Sequence, residues 1–194
     1  LLEGDLLFGN FETPISAARR HEPDAPDKYW SPPGVGRALR EYGFDVVNLG
    51  HNHIYDFGSE GVEATTTELR TAGLPFVGIG RTTDEAATPA VVTTRTGVAV
   101  GFLGYTTAVN ALDPRHAYMA CYPAPERVAA DVRTLRARVN TVIVSCHTGA
   151  QYNPYPAPET RAVARAALEA GAAVFLGHHP HVSQGCEALG RGLG

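Results

Sequence analysis

The residues best suited to chemistry in this chain are its histidines. Six of the eight histidines fall in three clusters, which are His51 and His53, then His147, then His178, His179 and His181. One acidic motif, Asn10-Phe11-Glu12, comes before all of them. Neutral imidazoles combined with carboxylate and amide oxygens are typical ligands of Zn, Mn or Fe. The residue types therefore indicate a metal site.

Apolar runs rich in β-branched residues precede the clusters and predict buried strands. The predicted strands cover residues 6–9, 45–49, 76–79, 91–94, 98–105, 141–146 and 173–176. Helical patterns lie between several of them, over residues 33–42, 59–72, 125–138 and 158–170. Ser59 is the expected N-cap of the second helix. This alternation is typical of an α/β domain with at least partly parallel strands.

Each polar cluster begins where a predicted strand ends. In parallel α/β sheets, ligand sites form outside the carboxyl ends of the strands, so residues distant in sequence should meet at one rim. The candidate set is Glu12, Asn52, His53, His147, His179 and His181, with Asn10 and Asp56 nearby. A single histidine after a strand is more often an ordinary polar residue than a ligand. Several clusters at the same topological position indicate a metal site, and a pair of metals needs a bridging carboxylate and terminal nitrogens.

The two histidines outside the clusters receive no role, and the role of one clustered histidine is left open. His21 and His116 fall in the predicted loops 19–27 and 110–125, the second of which could lie over the site. His178 is a possible ligand, but His179 and His181 have the better spacing. In an extended segment, residues i and i+2 point to the same side, and Pro180 restricts the backbone between them.

Composition narrows the class of protein. The length of 194 residues predicts a single domain over 1–194. The formal charge of −4 does not indicate a basic surface that would bind nucleic acid. No apolar stretch approaches the roughly 18 residues that a membrane span needs. Cys121, Cys146 and Cys186 are odd in number and lack CxxC spacing, which argues against a disulfide framework or a zinc–thiolate site. The chain opens in a strand-like run without methionine, and we interpret it as a fragment.

Four motifs taken together resemble the poly-γ-glutamate capsule-synthesis (CapA-type) family, which is similar to the calcineurin-like metallophosphatases. They are Asn10-Phe11-Glu12, Gly50-His51-Asn52-His53 with Asp56, Ser145-Cys146-His147, and Gly177-His178-His179-Pro180-His181. The similarity covers nearly the whole chain. It implies an α/β metallophosphatase-like double β-sheet sandwich flanked by helices, present as a fragment that lacks the family's first and last strands.

The same resemblance implies roles for individual residues and two divalent metal ions, Mn, Zn or Fe. The implied ligands are Glu12 as the bridging carboxylate, Asn52 and His147 as terminal ligands, and His179 and His181 as a pair. His53 would act beside the metals as a general acid or base, Asp56 would orient it, and Asn10 would lie next to the ligands. His51 and Thr148 stand where the family often has Asn and Trp, which bears on the substrate more than on metal binding.

Three functions remain open at this point. The first is metal-activated hydrolysis of a peptide, γ-glutamyl or phosphoester bond, with His53 protonating the leaving group. The second is metal-dependent epimerisation at a peptide Cα, because some relatives resemble peptide epimerases; His51 would then be a second base, although a hydrogen bond within its loop is the simpler interpretation. The third is a non-catalytic part of a polymer synthesis or export assembly.

The expected partner is a peptide or γ-glutamyl substrate rather than nucleic acid, and the oligomeric state stays open. The compartment is open as well. The cysteine usage favours the cytoplasm, whereas capsule-type relatives are often tethered outside the membrane.

Overall fold

The computed structural model describes residues 4–17, 28–110 and 119–188. The elements follow in the order β1 (Phe8–Asn10), α1 (Val35–Glu41), β2 (Val46–Asn48), α2 (Gly58–Thr71), β3 (Phe76–Val77), β4 (Ile79–Gly80), α3 (Thr83–Ala86), β5 (Ala90–Thr93), β6 (Ala99–Thr106), β7 (Met119–Ala120), α4 (Pro125–Arg136), β8 (Thr141–His147), α5 (Pro158–Glu169) and β9 (Val174–His178). The predicted loop 19–27, half of the loop 110–125, and both His21 and His116 lie outside the described residues.

The strands form two larger sheets and one small strand pair. Strands β1, β2 and β3 make a parallel sheet in that order. The second sheet has the order β5-β6-β8-β9, in which β6, β8 and β9 run parallel and β5 is an antiparallel edge. Strands β4 and β7 pair antiparallel. The prediction of partly parallel strands alternating with helices is confirmed.

The two larger sheets face each other across an apolar layer. Because side chains alternate along a strand, one face of each sheet points into this layer. Val46 and Val77 of the first sheet pack in one cluster with Val100 and Phe102 of the second. Phe8 of β1 stacks on Phe102 of β6, with ring centroids 5.3 Å apart. This contact brings β1 close to the second sheet, next to the strand ends that carry the histidines.

Helices cover the outer faces of both sheets. On the first sheet, Val47 packs in a cluster with Val62 and Leu69 of α2. On the second sheet, Val144 packs in a cluster that includes Val132 of α4 and Val163 of α5. The layers are therefore helix, sheet, sheet and helix, which is the double sandwich flanked by helices that the family resemblance implied. Within the parts of the chain that the structure describes, no helix is long and apolar enough to cross a membrane.

Two of the differences between predicted and observed boundaries have a clear local cause. The predicted strand 76–79 is divided at Gly78, whose φ of +93° takes the chain out of the first sheet and into the pairing of β4 with β7. Ser59 is not an N-cap, because α2 already begins at Gly58 and Phe57 occupies the capping position without a side-chain bond. The reason is local: the carbonyl of Phe57 accepts a hydrogen bond from the backbone N–H of Gly61 and so makes the first helical bond.

Replacing Gly78 with alanine should lower the free energy of unfolding by about 3 kcal/mol, because a positive φ and a backbone clash act together. A Cβ atom at this position would lie 2.6 Å from the Gly50 nitrogen and 2.7 Å from Asn48 Oδ1. Gly97 is the matched control, since its φ is +86° but nothing lies within 4 Å of the Cβ that an alanine would add there. Gly97→Ala should cost only about 1 kcal/mol. Urea unfolding measures both, and equal losses would contradict the clash at Gly78.

Candidate metal centre

The carboxyl ends of four strands meet at one rim of the sandwich. In the first sheet Asn10 lies opposite Asn48, and in the second sheet His147 lies opposite His178. The two sheets connect there through side chains, because Asn10 Nδ2 lies 3.3 Å from His147 Nδ1. The same Nδ2 donates a hydrogen bond to Glu12 Oε2 at 3.1 Å. Sequence positions more than 130 residues apart are thus neighbours at this rim.

Three candidate ligand atoms surround a fourth, the ring nitrogen His147 Nε2. It lies 2.7 Å from Asn52 Oδ1, 2.9 Å from His179 Nδ1 and 3.5 Å from Glu12 Oε1. Ligand atoms about 2.0–2.2 Å from one tetrahedral metal ion lie about 3.3–3.6 Å from each other. The distance to Glu12 matches this spacing, and the two shorter distances are hydrogen-bond contacts between side chains of the types that bind metals. With Nε2 directed at a metal, Nδ1 carries the ring proton, and Asn10 then donates to Glu12 alone.

His181 approaches Glu12 from a second direction. Its Nε2 lies 3.6 Å from Glu12 Oε1, and its ring centroid lies 6.2 Å from that of His179. Glu12 Oε1 is buried and has no hydrogen-bond partner among the described residues. A buried carboxylate oxygen left unpaired is costly unless a cation or a donor satisfies it. Glu12 Oε1 lies between the imidazoles of His147 and His181, and this donor set fits a metal centre.

Burial favours the neutral form of the His147 and His179 imidazoles, which is the form that binds metals. Burial lowers the pKa of His147 far below its ordinary value, and the neighbouring His51 and His179 lower it further. The pKa of His179 is also lowered, chiefly by burial. Burial raises the pKa of Glu12, while His181 and His53 act in the opposite direction. The carboxylate thus lies where a nearby positive charge would stabilise it.

The backbone around Pro180 differs from the extended segment that the sequence predicted. His179 has a φ of +96° and His181 a φ of +55°, both in the left-handed region. Residues other than glycine are uncommon in this region, and each such residue costs about 1–3 kcal/mol. Strand β9 ends at His178, so a turn rather than strand pleating directs both rings toward Glu12. The prediction of an extended segment was wrong, although the two side chains do meet at the cluster.

His53 and Asp56 form a buried pair beside the ligand cluster. His53 Nδ1 lies 2.7 Å from Asp56 Oδ2, which also accepts a hydrogen bond from the Tyr29 backbone N–H at 3.0 Å. An ionised carboxylate only accepts, so the proton belongs on Nδ1 and Nε2 is free to act elsewhere. A cleft of about 350 Å³ adjoins the pair and is lined by Tyr29, Asn52, His53, Asn110, Gln151, Tyr152 and His181. The predicted contact is present, and its catalytic role stays a prediction.

His51 does not share the cleft with His53. Its side chain is fully buried, and its ring lies edge-on to His147 with centroids 6.1 Å apart. Neither ring nitrogen has a well-formed hydrogen bond within the described residues. Burial, followed by the effect of His53, lowers the pKa of His51 to about 3; the nearby backbone of Phe11 opposes this shift. The structure therefore places the two predicted bases in different surroundings.

His178, which the sequence left as a possible ligand, lies apart from the four converging ligand atoms. Its ring is 6.3 Å from the ring of Phe8, against the apolar layer between the sheets. Its Nε2 atom has no hydrogen-bond partner among the described residues. Burial lowers the pKa of this ring as well.

Two asparagines at this rim were not singled out by the sequence analysis. Asn48 is buried in β2, and its Nδ2 donates to Asn10 Oδ1 and to the Gly50 carbonyl, each at 2.9 Å. Asn110 follows β6 and contacts both Asn52 and His53. A polar residue interrupting the apolar run 45–49 was the available signal for Asn48. Nothing in the local sequence around Asn110 distinguished it from an ordinary loop residue.

Comparison with known proteins identifies related chains. The chain is 29% identical over 202 residues to a capsule biosynthesis protein CapA of Bacillus anthracis, covering 100% of this chain and 49% of that protein. It is 28% identical over 186 residues to the PGA biosynthesis protein CapA of Bacillus subtilis, and the match covers 94% of this chain and 49% of that protein. A probable polyglutamine synthesis accessory protein of Mycobacterium tuberculosis is 29% identical over 189 residues, and the match covers 91% of this chain and 50% of that protein. The chain thus spans about half the length of these relatives.

The structure also aligns with a crystal structure of a putative 5'-nucleotidase from Staphylococcus aureus in complex with α-ketoglutarate. The TM-score is 0.49 and the sequence identity is 18%, and the alignment covers 74% of this chain and 30% of the nucleotidase chain. The family model described as bacterial capsule synthesis protein PGA_cap matches residues 1–193. This match confirms the resemblance found in the four motifs. The chain belongs to the bacterial capsule synthesis protein family PGA_cap.

Proposed function

We propose that this chain carries the metal centre of a divalent-metal-dependent hydrolase that acts in the synthesis of a poly-γ-glutamate-type capsule polymer. The observation that supports this most is the position of Glu12 Oε1, which lies 3.5 Å from His147 Nε2 and 3.6 Å from His181 Nε2. The names of the relatives, a capsule and a PGA biosynthesis protein, support the biological context.

The metal ligands in this proposal are Glu12, Asn52, His147, His179 and His181, and Asn10 lies next to them. Imidazole, carboxylate and amide oxygen suit Mn, Zn or Fe. When bound, such ions polarise the scissile bond and make hydroxide available at neutral pH. Glu12 is the only acidic group within the cluster of described ligand atoms, so its carboxylate would be the group shared by two ions if two are bound.

His53 is the proposed general acid. Asp56 accepts the proton of Nδ1 and holds the ring, which leaves Nε2 for proton transfer in the cleft. The ring of Tyr29 stands edge-on to His53 with centroids 4.5 Å apart and restricts its rotation. A protonated Nε2 can then donate to the departing nitrogen or oxygen, a contribution typically worth about 10²–10⁴-fold in rate.

Hydrolysis has better support than Cα epimerisation. Inversion needs a base on each face of the substrate carbon, and only His53 of the two predicted bases lines the cleft. His51 is fully buried against His147. The third possibility, a non-catalytic assembly component, agrees with the word accessory in the name of the mycobacterial relative. Metal content, peptide cleavage and deuterium uptake at Cα together distinguish these three functions.

The full-length protein, purified without chelators, should contain about two metal ions per chain, because Glu12 faces imidazoles on two sides. Elemental mass spectrometry measures this content. The protein should then cleave a γ-glutamyl oligopeptide and incorporate no deuterium at Cα when incubated in deuterated water. Deuterium at Cα without cleavage would indicate an epimerase. A protein that holds no metal after reconstitution with Mn, Zn and Fe would point to the assembly role, and turnover of a chromogenic phosphodiester alone would redirect the proposal to phosphoesters.

A further inference from the structure

We propose that Asn110 is a positioning residue that holds the carbonyl oxygen of the Asn52 side chain on the metal side of its amide. This inference rests on the proposed role of Asn52 as a metal ligand. Asn52 Nδ2 donates a hydrogen bond to Asn110 Oδ1 at 3.1 Å. The backbone N–H of Asn110 donates to the backbone carbonyl of Asn52 at 2.9 Å. Two hydrogen bonds between the same two residues fix both the main chain and the side chain of Asn52.

The direction of the side-chain bond is what matters chemically. A carboxamide has one oxygen that can bind a metal and one NH₂ group that cannot. The Asn52 oxygen lies 2.7 Å from His147 Nε2, at the point where the ligand atoms converge. A flip of the amide would turn the NH₂ group toward the metal and leave the Asn52 oxygen facing Asn110 Oδ1. Two facing oxygens repel, so the acceptor at Asn110 disfavours the flipped state.

Asn110 also touches His53, but that contact is the weaker one. Its Nδ2 lies 3.3 Å from His53 Nδ1, whereas Asp56 Oδ2 lies 2.7 Å from the same nitrogen. Because the ring proton on Nδ1 goes to Asp56, this nitrogen has no lone pair to accept a bond from Asn110. Asn110 therefore acts on the ligand Asn52 and packs against the His53 ring. Groups that orient metal ligands in this way typically change metal affinity about 10–100-fold when removed.

The test is the Mn²⁺ affinity of the full-length protein, measured by isothermal titration calorimetry. Asn110→Ala should weaken Mn²⁺ binding by about tenfold or more, because the Asn52 amide loses its acceptor. Asn110→Asp keeps an acceptor oxygen and should restore affinity. Gln151 lines the same cleft, so Gln151→Ala controls for truncation and Gln151→Asp controls for the added charge. Gln151→Ala should leave the Mn²⁺ affinity unchanged, and Gln151→Asp combined with Asn110→Ala should not restore it.

A double-mutant comparison shows whether Asn110 acts through Asn52. In an Asn52→Ala background, Asn110→Ala should change the Mn²⁺ affinity less than about twofold, since coupled residues are not additive. An equal loss in both backgrounds would overturn the inference, as would normal affinity in Asn110→Ala alone. A wild-type protein that binds Mn²⁺ but hydrolyses nothing would overturn only the proposed reaction. The two ideas can therefore fail separately.

Discussion

His147→Ala is expected to release the bound metal and to lower turnover by about 10³-fold or more. The Nε2 atom of His147 lies within 3.5 Å of Asn52, His179 and Glu12, so its loss removes the centre of the ligand cluster. Metal ions contribute several kcal/mol to transition-state stabilisation, and each 1.36 kcal/mol is worth about tenfold in rate. Elemental mass spectrometry and single-substrate kinetics measure the two effects. His179→Ala should behave in the same way.

His178→Ala is the matched control for this prediction. His178 lies opposite His147 on the neighbouring strand, so the same substitution is made at the same level of the sheet. Its ring faces Phe8, and this variant should keep its metal. Urea unfolding of the metal-free proteins reports any general loss of stability. Unchanged metal content in both His147→Ala and His179→Ala would refute the ligand assignment.

His53→Ala should retain its metal and lose about 10²–10⁴-fold in turnover, because it removes the proposed proton donor and no ligand. We expect this result because His53 pairs with Asp56 and lines the cleft. Steady-state kinetics on the γ-glutamyl oligopeptide and metal analysis of the same preparation measure it. The two readouts together separate a catalytic histidine from a ligand.

Chemical rescue sharpens the test of His53. Free imidazole added to His53→Ala should recover part of the lost turnover, since the ring can re-enter the cleft beside Asp56. The same imidazole should not rescue His147→Ala, because His147 does not line the cleft. If His53→Ala instead loses metal, His53 is a ligand. If its turnover is normal, the general acid lies elsewhere in the cleft.

Hydrophobic periodicity was sufficient to predict the long helices and strands, because these elements bury one face along their whole length. Strand β8 (Thr141–His147) and helix α5 (Pro158–Glu169) lie within a residue of the predicted ranges. The strand-end rule placed Glu12 and His147 at one rim, although they lie far apart in the chain. Apolar patterning therefore predicted the α/β class and the meeting of the polar clusters, since both follow from which strand faces are buried. The arrangement in two facing sheets was implied only by the family resemblance.

The features that sequence reasoning missed depend on backbone geometry or on distant contacts. Nothing in the run 76–79 indicates that Gly78 takes a positive φ, because its close approach to Gly50 exists only in the folded chain. The left-handed backbone at His179 is likewise imposed by the fold. Asn110 reaches Asn52 across 58 positions, so no local pattern could mark it. Short pieces such as α3 (Thr83–Ala86) carry too few residues for periodicity to be detected.

The division of one apolar run at Gly78 has a consequence for how the centre is lost on unfolding. Gly104 of the second sheet approaches Gly78 and Asn48 so closely that a Cβ there would lie 2.9 Å from the Gly78 nitrogen. The first sheet, the small strand pair and β6 are thus joined at one point of backbone contact. Separating the sheets would break this contact and would part Glu12 from His147 at once. Folding and assembly of the metal-binding rim should therefore be a single cooperative event, with no stable half-site on either sheet.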